Sequence, residues 1–238
     1  MSLDFNKAFE FSKKHIGITL ILLILTFISE IFLDVKGNFA LSLASIFTSV
    51  LLMGMYITGT NGIYWSLEKP FIPLYKLNYL IPRGLVSTLS SILLFPLFLG
   101  LALICYIVGS LIANVNVSSG VAIFVTLFAP LVLIFVTFVN ICLVSYSKKF
   151  SFKDFIDLKA NYQIFLKELP KYLFLTIVAY IYYLAVIILF ACGLGMFKVS
   201  VISSIILLAI STSMLIFFWM PFYLFIDLYK QGENSIVN

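Results

Sequence analysis

Long apolar runs alternate with shorter polar connections along most of this chain. Six runs have about 18 residues or more, which is the length at which an α-helix crosses a hydrocarbon core of about 30 Å. They do not alternate residue by residue between apolar and polar side chains, and this favours helices over the strands of a membrane barrel. The predicted spans are about residues 16–33, 39–59, 84–112, 121–145, 172–192 and 199–226.

The composition agrees with a membrane environment. Of the 238 residues, 63% are hydrophobic and 11% are charged, whereas soluble domains contain about 25% charged residues. A chain of this length can cover such an apolar surplus only if lipid surrounds part of it. The predicted fold class is therefore an all-α polytopic membrane bundle, organised as a single membrane domain.

The connections between the runs predict the orientation. Residues 60–83 and 146–171 form two long, basic and aromatic connections, and the other three connections are short. Thirteen of the 15 lysine and arginine residues lie near the termini or in the two long connections, and only Lys36 and Lys198 lie on the other side. The positive-inside rule then predicts a cell (inner or plasma) membrane protein with both termini and both long connections in the cytoplasm.

The same division predicts three helical hairpins, each preceded by a basic, aromatic segment that resembles the others in pattern rather than in identity. The first segment, about residues 2–14, is amphipathic. The second, residues 60–83, contains three prolines and is predicted to be an irregular cytoplasmic loop. The third, residues 151–169, has the clearest helical periodicity.

Residues 151–169 are predicted to form one amphipathic helix. Ser151 and Asp154 have the spacing of a capping box, and Pro170 is expected to end the helix. Lysines and Asn161 fall on the polar face, with Ile164 as an apolar exception. The basic rim favours an interfacial helix in the headgroup layer, and docking under the bundle or onto a cytoplasmic partner is the alternative. The apolar face consists of Phe152, Phe155, Ile156, Tyr162, Phe165, Leu166 and Leu169.

Few side chains are suited to catalysis or metal binding. The chain has one histidine, His15, and its three cysteines lie in three different spans without Cys-x-x-Cys spacing. A zinc site needs three or four converging ligands, and no His-Glu-x-x-His, P-loop or dinucleotide-binding motif is present. We therefore expect no enzymatic activity, no metal and no cofactor. The positive charge follows the ends of the spans, so nucleic acid is not an expected partner.

Two polar residues inside spans are candidate functional residues. Glu30 lies about one turn from the outer end of the first span, which favours a side chain that reaches the interface over an ion or proton site with Asp34. Asn140, within the fourth span, favours a hydrogen bond between helices over substrate binding. Tyr180, Tyr182 and Tyr183 also lie deep in a span, so their hydroxyls are expected to find partners inside the bundle.

The last third of the chain carries several short motifs in one order. They are Phe152-Lys-Asp-Phe-Ile-Asp-Leu-Lys159, Leu169-Pro-Lys-Tyr172, Cys192-Gly-Leu-Gly195, and Pro221-Phe-Tyr223 before a Leu-Tyr-Lys sequence that ends at Lys230. This order resembles the prokaryotic membrane family named domain of unknown function 4013. The resemblance covers about residues 150–231. It implies an amphipathic helix followed by a membrane hairpin, and it implies no activity, cofactor or site residue.

Two functional hypotheses follow. The leading one is a non-enzymatic accessory or scaffold subunit that binds the lipid bilayer and another membrane or cytoplasmic protein. The alternative is a small-solute or lipid transporter, or a membrane subunit of one, with a path lined by the spans that contain Pro96 and Pro130 and by Glu30. A lipid-modifying enzyme, the third possibility, would need a cluster of polar side chains that the sequence does not provide.

Overall fold

The computed structural model of the protein describes residues 3–21, 24, 39–113, 117–196 and 200–237, and every regular element among them is helical. A 3-10 turn, Leu215–Phe217, lies between the last two α-helices. The α-helices are α1 (Phe5–Lys14), α2 (Phe39–Tyr64), α3 (Leu77–Ala113), α4 (Val117–Lys149), α5 (Phe152–Ile156), α6 (Leu158–Lys167), α7 (Leu169–Met196), α8 (Val201–Met214) and α9 (Met220–Val237).

Within the described ranges, five helical stretches are long and apolar enough to cross a membrane. For the described residues, the prediction of an all-helical chain with several helices long and apolar enough to cross a membrane is therefore confirmed. Most of the predicted first span, including Glu30, lies outside the described residues, although residues 16–21 and 24 are helical. The five stretches are Leu43–Tyr64, Leu77–Ile112, Thr126–Lys149, Leu169–Gly193 and Val201–Asn234.

The predicted irregular loop, residues 60–83, is shorter in the structure. Helix α2 continues to Tyr64 and α3 begins at Leu77, so only the residues between them lie outside a helix. Gly62 allows the connection to fold back closely over α2, because a Cβ atom there would overlap the backbone of Pro70. Close packing against a glycine, rather than local propensity, therefore determines the path of this connection.

The contacts divide the chain into two compact units, Met53–Leu169 and Met1–Leu52 with Pro170–Asn238. In the unit Met53–Leu169, hereafter unit 2, α3 and α4 pack along each other and α5 and α6 pack on α4. In the other unit, hereafter unit 1, α1 packs on α9 and on the 3-10 turn.

The last predicted span, residues 199–226, is interrupted in the structure. The 3-10 turn lies just before Pro221, which lacks an amide hydrogen and whose ring crowds the carbonyl of Phe217 in a continuous α-helix. The Tyr182 hydroxyl donates to the carbonyl oxygen of Met214. The Tyr183 hydroxyl donates to the carbonyl oxygen of Phe218 at 3.1 Å. The expectation that the tyrosine hydroxyls find partners inside the bundle is confirmed for these two. It is wrong for Tyr180, which is 53% exposed and makes no hydrogen bond with the described residues.

Helix α1, which falls within the predicted amphipathic segment 2–14, packs against this interruption. Its Ser12 hydroxyl is fully buried and accepts a hydrogen bond from the Trp219 backbone amide at 3.0 Å. The rings of Phe9 and Phe217 lie 5.4 Å apart, and Ala8 is fully buried. One side of the segment is therefore covered by protein within unit 1.

Candidate functional site

Unit 2 contains two regions of different character. We name residues 53–94 and 137–169 the closed end, and residues 95–113 and 117–136 the open arm. In the closed end, residues 141–147 of α4 are all buried, whereas most described side chains of the open arm are partly or fully exposed. A helix buried on every side over nearly two turns is enclosed by protein. The core around it includes Ile57, Leu94, Cys142, Leu143, Tyr146 and Phe155.

Helices α5 and α6 fold back along α4. The rings of Phe138 and Phe165 lie 5.8 Å apart, and Phe138 precedes the end of α4 by about 16 Å at helical rise. Helix α4 has 33 residues, which corresponds to about 50 Å, and the hydrocarbon core requires only about 30 Å. The enclosed last turns of α4 therefore have room to lie outside the hydrocarbon core together with α5 and α6.

The prediction of one continuous helix over residues 151–169 is wrong. The Ser151 side chain makes no capping hydrogen bond, so the predicted capping box does not form. Instead, Asp157 ends α5 and begins α6, and its carboxylate accepts a hydrogen bond from the Ala160 amide at 3.1 Å. Aspartate is among the strongest N-cap residues, so it starts a new helix where the periodicity alone indicates continuation.

Asn161 stabilises this interruption, although the sequence pattern placed it on the solvent face. Its side chain is only 1% exposed. The amide nitrogen donates to the carbonyl oxygens of Asp154 at 3.0 Å and of Phe155 at 3.3 Å. These carbonyls lie at the end of α5, where helical partners are missing. A second cap-type residue four positions after Asp157 is the signal that could have revealed the break.

The break divides the predicted apolar face between two sides. Phe155 and Phe165 are buried, and so is Ile164, the predicted exception. Leu169 is partly buried at the start of α7. The interruption at Asp157 changes the helical phase, so the seven residues cannot share one side. The outward side of α5 and α6 consists of Phe152, Ile156, Tyr162 and Leu166, which are 42%, 51%, 51% and 48% exposed.

The end of α2 caps the end of α4. The Asn61 amide nitrogen donates to the carbonyl oxygens of Ser147 at 2.6 Å and of Lys148 at 3.0 Å. The Trp65 indole nitrogen donates to the same Lys148 oxygen at 3.0 Å. The last carbonyls of a helix have no partner within it. Two residues more than 80 positions earlier therefore complete the terminus of α4 and fix the closed end.

Arg83 lies between two aromatic rings of the closed end. Its guanidinium carbon is 4.1 Å from the centroid of the Tyr79 ring, one helical turn earlier on α3, and 3.7 Å from the centroid of the Phe150 ring. Phe150 follows α4 directly and has a φ of 52°. The Arg83 Nη1 atom is buried and has no hydrogen-bond partner among the described residues. The sequence analysis did not single out this arginine.

His15, in unit 1, is buried at the end of α1. Its Nδ1 atom lies 2.8 Å from the Phe11 carbonyl oxygen, and its ring packs 4.3 Å from the Phe11 ring. Burial lowers the pKa of His15, the Phe11 hydrogen bond opposes this effect, and the charge of Lys14 lowers the pKa further. The imidazole is therefore neutral at pH 7.

The other candidates lie apart from one another. Asn140 is partly exposed on α4, and its side chain has no hydrogen-bond partner within the described ranges. Cys142 is enclosed in the closed end, Cys105 is buried in the open arm, and Cys192 is exposed in unit 1. In the part of the chain that the structure describes, no group of three or more His, Cys, Asp or Glu side chains could hold a metal ion.

The closed end is therefore the candidate functional site. It combines the outward apolar side of α5 and α6 with Arg83 and the two rings beside it, those of Tyr79 and Phe150. The hydrogen bonds of Asn61 and Asn161 hold this region together. The chain matches no protein-family model, no curated protein and no solved structure, so its function must be inferred from this geometry.

Proposed function

We propose that this protein is a non-enzymatic accessory or scaffold subunit in the cell membrane. In this proposal six spans form three hairpins, and both termini and the closed end lie in the cytoplasm. The partners are the lipid bilayer and another membrane or cytoplasmic protein, which binds the outward side of α5 and α6. The relationship of residues 150–231 to the domain of unknown function 4013 family remains a prediction.

The observation that carries this proposal is the second apolar side of α5 and α6. Packing on α4 already uses Phe155, Ile164 and Phe165, which are at most 5% exposed. The four outward side chains are not needed for that packing. Covering a half-exposed large apolar side chain contributes about 1 kcal/mol, so together they could stabilise a complex by several kcal/mol.

The charge of the closed end supports a cytoplasmic location and an acidic or anionic partner surface. Residues 53–169 contain eight lysine and arginine side chains and four carboxylates, all within the closed end. The stretch of residues 84–147 has none of either kind. Cations concentrated at one end of apolar spans favour the cytoplasmic side of the membrane.

The polar groups of the spans support binding over transport. A pathway for a polar solute needs donors, acceptors or charges that face it. Most span hydroxyls instead donate to carbonyls three or four residues earlier in their own helix, so their hydrogen bonds are already made within that helix. These residues include Thr48, Thr58, Thr60, Ser87, Thr88, Ser90, Ser91, Thr137, Thr176, Ser211 and Ser213.

Asn140 adds a second reason to expect a neighbouring helix. A side-chain amide that faces lipid without a hydrogen-bond partner is unfavourable, whereas a partner helix could provide one. Asn140 lies on the same helix that carries α5 and α6 at its end. A partner that contacts both places would bind along α4.

The test compares matched variants in native membranes. The tagged protein is crosslinked in membranes, extracted in mild detergent and purified, and stoichiometric partners are identified by mass spectrometry. We expect the amount of partner that co-purifies with the double variant Phe152→Ser with Ile156→Ser to fall at least tenfold. The control is Tyr75→Ser, which removes an 80% exposed aromatic side chain from the connection between α2 and α3 and should retain the partner.

Two results would overturn the proposal. One is a partner that binds both variants equally, because the outward side would then not be the contact. The other is solute uptake by the purified chain alone in liposomes, abolished by Glu30→Gln, which would establish the transporter hypothesis.

A further inference from the structure

Arg83 differs from every other cation of the chain. It is the single arginine, and the other 14 cationic side chains are lysines. It lies in the first turns of α3, directly before the apolar run that begins at Gly84. A residue at the start of a spanning run is placed at about the depth of the lipid headgroups.

The two rings restrict how a ligand can approach the guanidinium. The Tyr79 and Phe150 rings both lie close to it, at 4.1 Å and 3.7 Å from Cζ to the ring centroids. Arginine prefers to stack on aromatic faces, and this arrangement orients the planar group and keeps its in-plane N–H donors for hydrogen bonding. An in-plane fork of N–H donors is the arrangement that binds a phosphate or carboxylate through two oxygens.

The conformation of Phe150 indicates that the ring itself is needed. The residue occupies the position after α4 with a φ of 52°, where glycine is usual because a Cβ atom is sterically unfavourable there. Such conformations in bulky residues cluster at binding sites. At this position a phenylalanine supplies what glycine cannot, an aromatic face for Arg83.

The hydrogen bonding of Arg83 is incomplete. Its Nη1 atom is buried without an acceptor, and no carboxylate of the described residues forms an ion pair with it. A charged donor left without an acceptor is unfavourable. The side chain as a whole is partly exposed, so a ligand has access to part of it, and binding at Nη1 requires the atoms that cover it to move.

We propose that Arg83, held between Tyr79 and Phe150, binds a phosphate oxyanion. The phosphate group of an anionic lipid and free inorganic phosphate share this chemistry, and the depth of Arg83 favours the lipid. The site does not depend on the proposed scaffold function, because a transporter could hold the same ligand. A protein carboxylate is the competing ligand class, and the experiment below includes an acidic peptide as its probe.

Native mass spectrometry of the full-length protein in detergent tests this inference. The protein is titrated with phosphatidylglycerol, with diacylglycerol of the same acyl chains, and with inorganic phosphate. We expect one phosphatidylglycerol molecule to bind saturably to each protein molecule, and we expect diacylglycerol not to compete with it. Arg83→Lys should weaken binding about tenfold, because lysine lacks the planar fork and the stacking surface. Phe150→Leu should weaken it about fivefold by removing one ring.

Lys69→Gln is the control for charge alone, since it removes an exposed cation from the connection between α2 and α3 and should change the affinity by less than about twofold. If Arg83→Lys does not fold, Phe150→Leu carries the test with the arginine intact. Displacement of the lipid by inorganic phosphate would show that the phosphate group suffices, and binding of the lipid alone would show that the acyl chains contribute. Both support the proposal.

Three outcomes would overturn it. The first is wild-type lipid affinity in both Arg83→Lys and Phe150→Leu. The second is an equal loss of affinity in Lys69→Gln, which would indicate diffuse attraction by the basic surface. The third is an acidic peptide that competes as well as phosphate, which would assign the guanidinium to a protein partner.

Discussion

Helices α3 and α4 run through both the closed end and the open arm of unit 2, in different surroundings. In the open arm, α3 and α4 contact each other through aromatic rings such as Phe98 and Phe135, 4.9 Å apart, and present apolar side chains outward. In the closed end, α4 is enclosed, its terminus depends on Asn61 and Trp65, and the end of α5 depends on Asn161. Where lipid covers a helix, apolar composition is sufficient, whereas enclosure by protein requires every polar group to find a specific partner.

The cysteines allow each region to be measured separately. Cys142 is fully buried in the closed end and Cys105 is 3% exposed in the open arm. With the other two cysteines replaced by serine, each thiol reports unfolding around it through its reaction with a maleimide dye during heating in detergent. The predictions below use this pair of reporters.

The largest difference in stability is expected between alanine substitutions at two glycines, one in each region. Gly62→Ala should destabilise the closed end by about 3 kcal/mol, because the new Cβ would overlap the backbone of Pro70. Gly100→Ala in the open arm meets no atom of the described residues within 4 Å and should be neutral or stabilise by up to about 1 kcal/mol. Cys142 should react at a lower temperature in the first variant only. Equal shifts of both reporters would contradict the division into two regions.

Asn161→Ala should have the next largest effect. It removes the side-chain donor to the Phe155 carbonyl and leaves the Asp154 carbonyl with the Ser145 hydroxyl alone, and we expect a loss of about 2 kcal/mol at the Cys142 reporter. Asn140→Ala removes the same group from a partly exposed position of α4 that lacks a partner among the described residues. It should change the stability of the isolated protein by less than about 0.5 kcal/mol. A larger effect of Asn140→Ala would mean that the fold itself uses its amide.

A smaller effect separates the two candidate helix caps. Asp157→Ala removes a capping hydrogen bond to Ala160 and should cost about 1 kcal/mol. Ser151→Ala removes a side chain that makes no capping bond, so its effect should be close to zero. Thermal unfolding followed by circular dichroism and by Cys142 reactivity measures both. A larger loss in Ser151→Ala than in Asp157→Ala would support the prediction of one continuous helix that begins at a capping box.

The smallest effect is expected in the open arm. Ser110 is partly exposed and donates to the Ile107 carbonyl of its own helix at 2.9 Å. Ser110→Ala should change the unfolding temperature at the Cys105 reporter by no more than the equivalent of about 0.5 kcal/mol. A clear loss of stability would indicate that the open arm also depends on specific polar contacts.

The sequence was informative about the spans and uninformative about the closed end. Five of the predicted spans coincide with long apolar helices, because continuous apolar runs favour helices in lipid regardless of their neighbours. The periodicity over residues 151–169 indicated one helix, since every position was judged by its neighbours along the chain. Asp157 could have suggested a cap, but nothing local indicates that the Asn161 amide points inward.

Arg83 shows the same limit. Tyr79 and Arg83 are four positions apart, the spacing of neighbours on one helix face, so the sequence indicates the contact of Arg83 with one of its two rings. Phe150 comes from the end of α4, 67 positions later, and only the packing of α3 on α4 brings it to the guanidinium. A contact between residues so far apart leaves no trace in hydrophobic periodicity.

By itself the sequence determined that this chain forms apolar helices, with its cations gathered beside the two long connections, because composition and helical rise depend only on the chain and its solvent. The tertiary structure decided which side chains became partners. It buried Asn161, exposed Phe152 and placed Arg83 between two rings. Those outcomes depend on the free energy of enclosing polar groups, which exists only after distant segments have come together.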